Sequence, residues 1–142
     1  MGLFDIFRKK PTAKEADWIH RLPPEHAKAL LAEIKSNPQA CSLDEIPQGS
    51  GPFGIAATNP VPVYGIPSNE TYLQRLRDSA GERLRWRRTR SVNIANIVKA
   101  VDEYEIFDFQ GNVVTNIYIS PYHWKTSDKP VHGFSIRASD LF

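Results

Sequence analysis

Two alternating runs joined by a turn constrain this 142-residue chain more than any other feature. VDEYEIFDF (101–109) and VVTNIYIS (113–120) repeat apolar and polar residues with period two, and Gln110-Gly111-Asn112 stands between them. Successive side chains of a strand point to opposite faces, so a run of this kind is stable only as a ribbon with one face covered. With a short Gly- and Asn-containing turn between the runs, the expected unit is an antiparallel hairpin.

A third run precedes it. In ERLRWRRTRSV (82–92), Leu84 and Trp86 fall on one face and Arg83, Arg85 and Arg87 on the other, although Arg88 and Arg90 break the pattern. Seven arginines between Arg75 and Arg90 face only Asp78 and Glu82, a local balance of +5. A basic strand with an aromatic suits single-stranded nucleic acid, charge following the phosphates and the ring stacking a base. But 101–109 carries Asp102, Glu103, Glu105 and Asp108 without a cation, and the whole chain is only +2. The preferred reading is that the basic strand pairs with the acidic one, which leaves nucleic acid an unlikely partner.

GSGPFG (49–54) has the G-x-G-x-x-G spelling of a dinucleotide-binding turn. That turn needs a helix to run from its last glycine and aim N–H groups at the pyrophosphate. Here Asn59-Pro60 and Pro62 leave no room for one. The glycines therefore read as tight bends, with Phe53 and Ile55 turned inward and Val61 and Val63 forming a short edge segment. Helical periodicity belongs to the first half: Ala27, Leu30, Leu31 and Ile34 recur at helix spacing within 23–37, and Ser68 or Asn69 opens a shorter helix holding Tyr72, Leu73 and Leu76. The expected fold is α+β, with N-terminal helices packed on a small, mostly antiparallel sheet. Residues 1–16 form an amphipathic extension to a single domain, 17–142, which is loop-rich over 38–60 and β-rich from 61 onward.

The segment from Ile119 to Phe134, ISPYHWKTSDKPVHGF, concentrates aromatic and titratable side chains between Pro121 and Pro130. Loops carried on a sheet are where binding residues collect. Tyr122, His123, Trp124 and Lys125, with Phe53 from the glycine loop, are the expected partner-binding residues, because aromatics flanked by a cation anchor interfaces. An alternative joins His123, Asp128 and His132 as metal ligands, though two histidines nine apart give a weak spacing. A hydrolase reading would use Ser127 with a histidine and Asp128, without a nucleophile-elbow motif. No catalytic residue and no cofactor is assigned.

At the N-terminus, a helix over 3–10 would gather Leu3, Phe4, Ile6 and Phe7 in one arc with Arg8 and Lys9 opposite, as in the short membrane-seeking helices that this segment resembles. Peripheral membrane contact through those four residues is thus a further expectation. No apolar run approaches the roughly 20 residues that span a bilayer, and the charges of MGLFDIFRKK follow its apolar residues, unlike a secretory signal. Cys41 is the only cysteine, which fits a reducing, cytoplasmic setting.

GPFG (51–54), TNPVPVYG (58–65), the Trp86 strand, VDEYEIF and YISPYH…KP…GF together resemble a family of small uncharacterised bacterial proteins, over about residues 50–134. The resemblance implies a bacterial origin, and that the 49–65 loop and the 121–134 segment form one unit. It implies no activity. The expected function is a non-catalytic protein-interaction module, such as a cognate inhibitor or immunity protein, facing its partner with those two loops.

Overall fold

The structure, a computed structural model, describes residues 43–97, 99–123 and 125–137, together with 23–25, 27–28 and 32. Strands β1 (Val61–Pro62), β3 (Arg85–Val92), β4 (Val101–Phe107) and β5 (Val113–Ser120) form one sheet in the order β1-β5-β4-β3. The hairpin expected from the alternating runs is β4 and β5, antiparallel, with Tyr104 opposite Ile117. Asp108 closes the turn, its carboxylate accepting from the Asn112 backbone N–H at 2.9 Å, and Gly111 takes φ 91°, where a side chain would be strained. β1 lies parallel to the end of β5, Val61 opposite Ile119, so Pro62 occupies an edge strand where its missing donor is tolerated.

One helix, α1 (Ser68–Arg75), follows β1 and packs Tyr72 and Leu73 into the core. Its Ser68 hydroxyl does not cap the helix; it donates back to the Tyr64 carbonyl at 2.7 Å. Leu76, expected within the helix, turns extended at ψ 146° and begins β2 (Leu76–Arg77). β2 pairs antiparallel with β6 (Ser135–Ile136) in a second, two-stranded sheet.

The expected N-terminal helices on the sheet are not what the structure shows. The element laid on the sheet is α1, from the middle of the chain, and the described fold is mostly strand. Of the 23–37 segment, Pro24, Glu25, Ala27, Lys28 and Ala32 are helical, and four of these five are exposed. Leu30, Leu31 and Ile34 lie outside the described residues, as does the 1–16 extension. Helical periodicity reports a local preference and carries no information about which surface a helix covers.

The core gathers Val61 and Val63, Tyr72, Leu73 and Leu76, and Ile106, Ile117 and Ile119 from the sheet's inner face. Eight of these side chains are fully or almost fully buried, each contributing about 1.5–3 kcal/mol by removal from water. A smaller cluster of Ile46, Ile97 and Val101 covers part of the other face.

Candidate interaction surface

The glycine loop and the 121–134 segment do form one unit. Val63 N–H donates to the Ser120 carbonyl, Gly65 N–H to Pro121, His123 N–H to Val63, and His132 N–H to Phe53, all within 3.1 Å. Ser127 pins the segment from the other side: its hydroxyl donates to the Asp44 carbonyl at 2.8 Å and accepts from the Lys129 backbone N–H at 3.1 Å. Residues 51–60 hold turns and bends and no helix, so GSGPFG is not a dinucleotide turn.

Two of the residues expected to face a partner, Phe53 and His123, are buried. Phe53 is 5% exposed, its ring in the core and the Lys129 ammonium 5.0 Å above its centroid. His123 is likewise buried, and its Nε2 lies 2.9 Å from Ser120 Oγ. Tyr122 is half-buried and bridged to Tyr64. Lys125 reaches Asp44 Oδ1 at 2.6 Å, and Trp124 lies outside the described residues, as do Leu3, Phe4, Ile6 and Phe7. Pro121 sends the chain back along β1, and the His123 ring is turned inward there.

Nor does the metal set assemble. His123 is buried, His132 is exposed, and Asp128 pairs with Arg75 at 3.2 Å and Lys125 at 3.6 Å. Among the described residues no three His, Cys, Asp or Glu side chains gather as a metal site. The Ser127 hydroxyl, fully buried, donates its hydrogen bond to a backbone carbonyl rather than to an imidazole. The serine beside a histidine is Ser120, which sequence reasoning passed over. Ser120, His123, Tyr122, Ile97 and Lys99 line a void of about 10 Å³, room for one water. Burial pulls the His123 imidazole down to a pKa of about 4, so it is neutral near pH 7 and a poor base there.

Charge is organised across the β3–β4 ladder. Arg87 reaches Glu105 at 2.6 Å, Arg88 reaches Asp102 at 2.9 Å, and Arg90 reaches Glu103 at 3.2 Å. A bulge between Arg88 and Arg90 accounts for Arg90, the second of the two residues that break the alternation. Arg88 stays on the face of Trp86, opposite Tyr104, while the extra residue, Thr89, carries Arg90 over to the face of Glu103. Thr89, then Tyr118, then Arg90 donate to Glu103 and hold its carboxyl below the ordinary range against the opposing effect of burial. Three of the arginines expected to meet the acidic strand, Arg87, Arg88 and Arg90, therefore do.

What the sheet leaves open is the turn end of the hairpin. Phe109 is 59% exposed, Val113 61% and Val114 46%. The Arg85 guanidinium sits 5.6 Å above the Phe109 ring. β1 covers β5 only at Ile119 and Ser120, and Gly54 accepts from Tyr118 N–H at 2.9 Å, so the edge from 113 to 116 has no strand beside it among the described residues. The sequence did hold a signal for this patch. Val113-Val114 puts two apolar residues in succession, and in a strand at least one of them must leave the covered face.

No family model, curated protein or solved structure matches the chain. Among the described residues no helix is long and apolar enough to cross a membrane.

Proposed function

We propose that this chain is a non-catalytic protein-interaction module whose contact surface is the open end of the β4–β5 hairpin. The observation that carries the reading is that Phe109, Val113 and Val114, all at the turn end of the hairpin, are each about half exposed or more, with Arg85 over the Phe109 ring. Large apolar side chains gathered on a small domain mark a contact site, and aromatic and arginine side chains are the types that anchor one. Arg85 over Phe109 adds a charged rim to an apolar centre. A cytoplasmic inhibitor or immunity protein of a bacterium is the kind of module that suits a chain of this size with charge segregated by strand, an analogy of type and not of site.

The test is capture from lysate of the native host with a C-terminal tag, comparing the intact chain with the Phe109→Ser, Val114→Lys double variant by quantitative mass spectrometry. A near-stoichiometric protein retained by the intact chain and lost by the variant supports the module. The same proteins on both overturn it.

A further inference from the structure

The second, smaller sheet carries an unbalanced charge cluster on its outer face. In β2, Leu76 pairs with Ile136 and Arg77 with Ser135, and on the other side Arg77 is bridged to Arg83. Residues opposite each other share a face, and neighbours along a strand alternate. Leu76, Leu84 and Ile136 accordingly enter the core, whereas Arg77, Arg83 and Ser135 lie on the reverse face. Arg137, two residues past Ser135, returns to that face, its N–H donating to the Arg75 carbonyl at 2.8 Å.

Arg77 is 3% exposed. Its Nη1 donates to the carbonyls of Gln74 at 2.7 Å and Leu76 at 2.8 Å, the open end of α1. Its Nη2 is buried and meets no acceptor. A guanidinium stays charged, and a buried donor left unmade is costly, so this group calls for an oxygen that the described chain does not supply. Arg83 and Arg137, both exposed, add charge of the same sign. Burial first, and then Arg137 and Arg83, weaken Arg77's hold on its proton. None of the three pairs with a carboxylate among the described residues, in contrast to Arg87, Arg88 and Arg90 on β3.

We infer that Arg77, Arg83 and Arg137 form a binding site for a phosphate-type oxyanion. Arg77 Nη2 is the fixed inner donor, aimed by the two carbonyls that hold Nη1. Arg83 and Arg137 are the outer pair, long exposed side chains on the same face. A tetrahedral oxyanion has acceptors enough for three forked guanidinium groups and cancels the repulsion among them. Free phosphate and a phosphate monoester share this chemistry.

The experiment is titration calorimetry of the full chain with inorganic phosphate and, separately, adenosine monophosphate, at ionic strength held constant with chloride. Thermal unfolding is followed under the same conditions. Saturable binding with a rise in Tm is expected. The Arg83→Ala, Arg137→Ala double variant should bind about tenfold more weakly or worse, while Arg87→Ala on β3 should bind as the intact chain does. Tighter binding of the nucleotide assigns the site to a monoester, and equal binding to the bare anion. Absence of saturable binding overturns the inference, as does affinity unchanged in the double variant or lost equally in Arg87→Ala.

Discussion

Gly54 lies so close to Val131 that a β-carbon at its position would stand 2.5 Å from Val131 Cγ2, and 3.1 Å from Val61 Cγ2. Its φ of 76° is the left-handed region. One residue thus sets the spacing between the glycine loop, β1 and the 121–134 segment. Gly54→Ala combines a backbone penalty of about 1–2 kcal/mol with overpacking of about 1–3 kcal/mol, and should destabilise the chain by about 3 kcal/mol in urea denaturation. Gly81→Ala serves as a control: its φ is 80°, but a β-carbon there would meet nothing within 4 Å, so only the backbone part of the loss is expected.

His123 should make stability depend on pH in a defined window. Burial lowers its folded pKa from 6.5 to about 4, so between those values the unfolded chain takes up the proton and the folded chain does not. The contribution is fully present above pH 6.5 and is lost as the pH falls toward 4, amounting to about 3 kcal/mol. Glu103 and Asp44, whose carboxyls are held low in the fold, add their losses only further into acid. Unfolding free energy measured from pH 7 to pH 4.5 should slope downward in the intact chain and be nearly flat in His123→Gln.

Two ion pairs on one ladder should differ in worth. Glu103 is 6% exposed and accepts from Thr89, Tyr118 and Arg90, so Glu103→Gln should cost about 2 kcal/mol. Arg87 and Glu105 are close at 2.6 Å, but the Arg87 side chain is 69% exposed, and Glu105→Gln should change stability by less than about 0.5 kcal/mol. Denaturant midpoints of the two variants check both values.

Ser127 should prove a structural hydroxyl. Ser127→Ala removes the bond to the Asp44 carbonyl and the acceptor of the Lys129 N–H, at a cost of about 1–2 kcal/mol. A serine-directed fluorophosphonate should label neither the intact chain nor the variant.

Period two made the sheet legible: β4, β5, their turn and the inward Leu84 and Trp86 follow from alternation alone. The pairing of arginines with carboxylates was legible from charge, and the rejection of GSGPFG from the prolines after it. What escaped was whatever depends on contacts distant in sequence. Nothing local distinguishes an exposed His123 from the buried residue that it is, because the return of the chain along β1 decides it. The Thr89 bulge, which moves Arg90 across the sheet, is held by a bond to Glu103 on the neighbouring strand. The 23–37 periodicity says helix and is silent on where that helix packs. The open hairpin end was half legible, since Val113-Val114 interrupts the alternation, but its exposure follows from how short β1 is.

The most direct measurement of the central claim is the affinity of the intact chain for the protein it captures, compared by calorimetry with Phe109→Ser and Val114→Lys, each first shown to unfold at the parent's midpoint. Either substitution at the exposed hairpin end should weaken binding by about tenfold or more. Affinity unchanged in both variants would contradict the account and move the contact surface away from the β4–β5 turn.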